Sequence, residues 1–175
     1  SPFKVTFFSN VLATVRLLAF LAWTFLLLPL QVCALLVGSR LSWRIPRLYH
    51  QGNCFLLGLR VIKHGIPDKS QAVLFVSNHS SYLDIIVLAA LTEACLVSKF
   101  EVASGPLCGV LAKLNHTVFV PRKMRESGKK LGEIKDRLRQ GRRLILFPEG
   151  TSSDGNRVLP FNSTFFAAGN TKCDG

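Results

Sequence analysis

The run from Leu17 to Val37, LLAFLAWTFLLLPLQVCALLV, contains no charged residue. As a helix rising 1.5 Å per residue it reaches about 30 Å, the thickness of a bilayer's hydrocarbon core. Two other structures use such a run, a buried core helix and a cleavable signal peptide. A signal peptide has a shorter apolar core and a small-residue cleavage site, which this stretch does not cleanly present. Pro29 interrupts the run, so a kinked or re-entrant helix pair stands beside a straight span. The expectation is a hydrophobic, membrane-embedded helical segment over residues 1–58.

The flanks supply an orientation. Arg40, Arg44 and Arg47 follow the run, with Trp43 and Tyr49 between them, whereas only Lys4 and Arg16 precede it. Cations and amphipathic aromatics belong at headgroup level, and the cationic flank stays on the cytoplasmic side. Residues beyond about 58 are therefore expected on the cytoplasmic membrane face. Cysteine usage agrees: Cys33, Cys54, Cys95, Cys108 and Cys173 are scattered, odd in number and without a CxxC pair. Such spacing builds neither a disulfide framework nor a zinc site, and no metal is implied.

Charge narrows the partners. Lys and Arg number 22 against 10 acidic residues, a net charge of +12. That surplus suits an anionic membrane, a phosphate-bearing substrate or an acidic carrier protein. Residues 122–143 alone carry ten Lys and Arg. The stretch reads as a solvated helix face or as a docking surface for anionic lipid or an acyl-carrier protein. It lacks interleaved aromatics and any recognition motif, so nucleic acid is not an expected partner.

From about Leu59 the pattern changes to short apolar strands alternating with helical periods. Val61–Lys63, Ala72–Ser77, Cys95–Ser98, Thr117–Val120 and Leu144–Phe147 read as strands. Tyr82–Thr92, Pro106–Leu114 and Met124–Gln140 read as helices. The alternation predicts an α/β domain over 59–175, a mixed sheet flanked by helices.

In FVSNHSSYLDIIVL, His79 stands just beyond a strand end and Asp84 at the start of an apolar helix. Imidazole suits general-base work near neutrality, and a carboxylate on one ring nitrogen fixes its tautomer and stabilises the imidazolium. Within one helix, residues five apart do not face each other. The pair therefore meets only with His79 in the turn and Asp84 in the helix's first turn, capped by Ser81 or Ser80. Taken alone the box is weak, because an Asp in a first turn also stabilises the helix dipole.

Two further strand ends follow. NHTVFVPRK presents Arg122 and Lys123, and LILFPEGTSSDG presents Glu149, Gly150, Thr151 and Ser152. Arg122 offers a bidentate, charge-assisted phosphate contact. The Glu-Gly-Thr-Ser-Ser turn offers N–H groups and hydroxyls to an anion, and Glu149 could accept from polyol hydroxyls.

HxxxxD, then FVPR, then FPEGT, each at the end of an apolar strand, resembles the glycerolipid acyltransferase family over roughly Leu59 to Ala168. The resemblance implies that His79 and Asp84 are catalytic, and that Arg122 and the Glu149–Thr151 box bind the acceptor. It also implies acyl-CoA or acyl-carrier protein as donor, a lysophospholipid, first of all 1-acylglycerol 3-phosphate, as acceptor, and no cofactor. Ser152 stands where many members have Arg. FPEGTSSDGNRVLPF is similar to the subgroup with bacterial lyso-ornithine-lipid acyltransferases, which makes that lipid the alternative acceptor. Members usually continue with another strand and a Val/Pro-rich box, so the domain is expected to be incomplete at its C-terminus. A non-catalytic cationic membrane-binding protein is the alternative from another class.

Overall fold

Four strands, β1 (Leu74–Val76), β2 (Ala94–Lys99), β3 (Val118–Val120) and β4 (Arg143–Leu146), form one sheet in the order β1-β4-β2-β3. The computed structural model describes residues 7–66, 68, 72–99, 108–120 and 127–161. Every pairing among the described strands is parallel, so the sheet expected as mixed is parallel there. Parallel pairing requires crossovers, here the helices α3 (Tyr82–Leu91), α4 (Cys108–Leu114) and α5 (Ser127–Arg139).

Strand order is what builds the site. The chain leaves β1 through α3 to reach β2, and β4 later inserts between those two strands. Leu74, Phe75 and Val76 pair with Leu144, Ile145 and Leu146, and the Ser77 N–H donates to the Leu146 carbonyl at 3.1 Å. The loops that leave β1 and β4 are thereby adjacent at the sheet's carboxyl edge, where open α/β sheets bind ligands.

The core follows from the pleat. Cys95 and Val97 pair with Leu144 and Leu146, so all four side chains share one face. Ile134 and Leu138, one turn apart on α5, complete that cluster with Val118. Val118, Ile134 and Leu144 are wholly buried. Val61–Lys63, expected as a strand, pairs with no strand among the described residues and is irregular. Its Ile62 and Lys63 are exposed, so the segment lacks the burial that would repay ordering it in the sheet.

The N-terminal segment is a helical hairpin. Helix α1 (Phe7–Leu36) runs unbroken through Pro29. The chain reverses at Gly38, whose φ of +63° is open to glycine at little cost. There the Ser39 N–H donates to the Ala34 carbonyl and the Gly38 N–H to the Leu35 carbonyl, a Schellman stop. A short 3₁₀ turn (Arg40–Trp43) leads into α2 (Ile45–Leu56). Trp23 against Tyr49, and Leu27 and Ala34 against Ile45, pair in reversed order, so the helices are antiparallel.

Trp23, Leu27, Gln31 and Ala34 form the inward stripe of α1 at helical spacing. The remaining faces expose Leu18, Phe25, Leu26 and Leu30. Only 6% of the helix's most apolar stretch is buried, and the helix is long and apolar enough to cross a membrane. Buried Gln31 ties it to the rest of the protein, its amide donating to the carbonyls of Ser42 at 2.9 Å and Leu114 at 2.6 Å. Helix α2 docks on the C-terminal end of α3. Arg47 pairs with Glu93 at 2.9 Å, and Gln51 donates to the Ala90 carbonyl at 3.2 Å. Of the residues expected at headgroup level, Trp43, Arg47 and Tyr49 are thus used in internal docking, while Arg40 and Arg44 are exposed.

Candidate active site

Asp84 is the third residue of α3, and Ser81 is its N-cap. The Ser81 hydroxyl accepts from the Leu83 N–H at 2.9 Å, and Asp84 reaches back to accept from the Ser81 N–H at 2.8 Å. That reciprocal capping box follows from the Ser-x-x-acidic spacing. The same Oδ2 also accepts from the Ser80 N–H at 2.7 Å and lies 3.2 Å from His79 Nδ1. A residue in the turn and a residue in the first helical turn therefore meet across five positions, as the spacing required.

Burial pushes the Asp84 carboxyl up, but the N–H donors of Ser81 and Ser80 and the His79 ring together outweigh it. The group ends below its ordinary value. Asp84 is thus an anion held ready to receive an imidazolium. With Nδ1 as the donor to Asp84, Nε2 becomes the basic nitrogen. Among the described residues nothing is hydrogen-bonded to Nε2.

The His79 ring rests on Phe147, with centroids 4.3 Å apart and planes inclined by 25°. Phe147 is the last residue before the Pro148–Glu149–Gly150 turn, in which the Gly150 N–H donates to the Phe147 carbonyl at 3.1 Å and Gly150 takes a φ of +66°. Glu149 points back under the His79 turn. Its Oε2 accepts from the His79 N–H at 2.9 Å, and its Oε1 from the Leu159 N–H at 2.9 Å. The Ser153 N–H donates to the His79 carbonyl at 2.7 Å.

The structure therefore brings His79, Asp84 and Glu149 together, with Gly150 in the adjoining turn. Both Glu149 oxygens serve main-chain donors, a use that the expectation of polyol binding did not include. Thr151 and Ser152 are exposed next in the loop and make no hydrogen bond among the described residues, so their N–H and hydroxyl groups face solvent. Arg122 and Lys123 lie outside the described residues; Arg157 is exposed in the loop that carries Ser153. Sequence reasoning missed Phe147 and Ser153 as neighbours of His79, and Leu159 as a partner of Glu149. The only signal for them was the aromatic at the strand end directly before Pro-Glu-Gly. The described cysteines are poor nucleophiles where buried: burial raises the Cys54 thiol and pushes Cys95 up to about 11.

The acyltransferase family profile matches residues 59–171, and this chain belongs to that family. The lyso-ornithine lipid O-acyltransferase of Rhizobium meliloti (strain 1021) is 41% identical over 143 residues, 81% of this chain and 49% of its own length. The one from Brucella abortus (strain 2308) is 38% identical, over 86% of this chain and 57% of its own. A 1-acyl-sn-glycerol-3-phosphate acyltransferase of Neisseria gonorrhoeae is 31% identical over 57% of this chain and 40% of its own. The chain thus spans about half the length of the curated relatives it matches. In fold it is similar to the crystal structure of the 1-acyl-sn-glycerophosphate acyltransferase PlsC from Thermotoga maritima. The TM-score is 0.64 at 21% identity, covering 90% of this chain and 70% of that one.

Proposed function

We propose that this chain transfers an acyl group from an acyl thioester, acyl-CoA or acyl-carrier protein, to the free hydroxyl of a lysolipid. The observation that carries the reading is the His79–Asp84 contact at the sheet's carboxyl edge, with Nε2 unengaged among the described residues. The acceptor oxygen attacks the thioester carbonyl as Nε2 takes its proton; the carbon–sulfur bond breaks, and the proton passes to the departing thiolate. Asp84 holds the ring and stabilises its charged form. Base catalysis of this kind is worth about 10²–10⁴-fold. Arg122, Thr151 and Ser152 are the proposed contacts of the acceptor headgroup.

The acceptor we favour is a lyso-ornithine lipid, on the identity to the Rhizobium and Brucella enzymes and on Ser152 following Glu-Gly-Thr. The Neisseria relative supports 1-acylglycerol 3-phosphate as the second reading. The exposed apolar faces of α1 support membrane insertion, since contiguous apolar patches beyond a few hundred Å² are rare on soluble proteins. We place the catalytic loops on the cytoplasmic face, on the cationic flank.

Thiol release from acyl-CoA, followed with each lysolipid in parallel, tests both the reaction and the acceptor. His79→Ala is expected to abolish release while membrane association persists. Undiminished release would sink the assignment, and salt-sensitive liposome binding with no turnover on any lysolipid would favour a non-catalytic membrane protein.

A further inference from the structure

His79 sits in irregular chain between β1 and α3, so neither a strand ladder nor a helix supplies partners for its peptide groups. Both partners come instead from the β4 loop. Glu149 takes the His79 N–H at 2.9 Å, and the Ser153 N–H reaches the His79 carbonyl at 2.7 Å. The second Glu149 oxygen is anchored by the Leu159 N–H at 2.9 Å, so the carboxylate is braced at both ends. Two residues earlier in the same loop, Phe147 supports the imidazole face.

The direction of a side chain is set by its Cα–Cβ bond, and hence by the peptide planes on either side. A loop that holds both planes of His79, and the face of its ring, sets where Nε2 points. We propose that Glu149 is a positioning residue that keeps His79 in register with Asp84, rather than a ligand of the acceptor headgroup. The proposal rests on the acyl-transfer reading and deepens it. Hydrogen bonds to a carboxylate are stronger than neutral ones. Glutamine has one acceptor oxygen, so its NH₂ would confront one of the two N–H donors.

The test uses E149Q and L159P in the full chain in detergent. L159P removes the donor that braces Glu149 and leaves the carboxylate itself in place. Two quantities are read: kcat and KM for the lysolipid, and the rate at which diethyl pyrocarbonate modifies His79 without substrate, followed by peptide mass spectrometry. A misplacement near 1 Å costs on the order of 10²-fold. In both variants kcat is therefore expected to fall about 10–100-fold, with KM for the lysolipid within about twofold of wild type. His79 reactivity is expected to rise about threefold or more as its turn loosens.

A roughly tenfold rise in KM with kcat retained would make Glu149 a headgroup ligand and overturn the proposal. Unchanged His79 reactivity in both variants would overturn it as well. If E149Q fails to fold, L159P carries the test alone. If no lysolipid is acylated by the wild type, the functional reading fails, yet His79 reactivity still decides whether the clamp exists.

Discussion

Trp43 lies flat against the His116 imidazole, their centroids 3.6 Å apart and their planes within 7° of parallel. The Arg142 guanidinium also packs on Trp43, at 3.8 Å from the ring centroid. Trp43 ends the 3₁₀ turn of the hairpin, His116 precedes β3, and Arg142 precedes β4. One indole therefore joins the N-terminal helical hairpin to the amino edge of the sheet, opposite His79. His116 adopts a φ of +55°, a conformation costly for a residue with a Cβ, and the stack helps to hold it there. Trp43→Ala is expected to cost about 2–4 kcal/mol, since the indole is half-buried rather than wholly so. Denaturant unfolding in detergent measures it, and a loss under about 0.5 kcal/mol, the usual size of a neutral surface change, would show that the stack joins nothing.

Asp84 has two duties that substitution separates. Asparagine keeps an oxygen for the Ser80 and Ser81 N–H groups but removes the charge that stabilises an imidazolium. Asp84→Asn is expected to lower kcat about 10²–10⁴-fold and to lower the thermal midpoint only by the loss of the charge in its hydrogen bonds. Asp84→Ala also empties the capping box, at a further cost of about 0.5–2 kcal/mol. Equal activity loss without the stability difference would separate the cap from the carboxylate and refute the shared role.

Acid is expected to weaken the fold in two stages. Burial pushes His50 down to about 4. Burial also lowers His116, assisted by Arg137 and Arg142 and opposed by a hydrogen bond at Ser42. Both rings bind a proton more readily in the unfolded chain, where the ordinary value is 6.5. Stability is therefore full above about pH 6.5 and declines as pH falls toward 4. Asp84, lowered from 3.8, contributes stability that is present above that value and lost below it. Urea unfolding at pH 7.5, 6 and 5 reads the first stage. His50→Phe should flatten the decline, and an unaltered slope would show that His50 does not drive it.

What the sequence made legible was local chemistry. HxxxxD at a strand–turn–helix junction foretold the His79–Asp84 contact, because turn and cap geometry depend on residues only a few positions apart. Ser81 as N-cap followed from the same spacing. Two local readings gave way. Pro29 pointed to a break, yet losing one helical hydrogen bond bends a helix without reversing it, whereas reversal needs a left-handed residue such as Gly38. Val61–Lys63 had strand composition, but Ile62 and Lys63 are left exposed, without the burial that would repay ordering them in the sheet. The role of Glu149 was hidden for another reason. Its contact with His79 spans 70 positions, and it exists because β4 inserts between β1 and β2, an order that no local pattern encodes. Arg122 lies outside the described residues.

Two helical glycines are expected to respond to alanine with opposite signs. Helix interiors favour Ala over Gly by about 1 kcal/mol, so Gly→Ala stabilises wherever a methyl group has room. At Gly132 on α5 a Cβ would meet nothing within 4 Å. At Gly52 on α2 it would overlap the Trp23 indole, whose Nε1 already donates to the Tyr49 carbonyl at 3.1 Å. That hydrogen bond prevents the ring from sliding aside, so the two helices would have to separate. G132A is therefore expected to raise stability by up to about 1 kcal/mol. G52A is expected to lower it by about 1–3 kcal/mol, as overpacking does. Paired unfolding curves in one detergent make the comparison internal. Stabilisation by G52A would mean that the indole yields, and that close approach of α1 and α2 does not depend on the missing side chain.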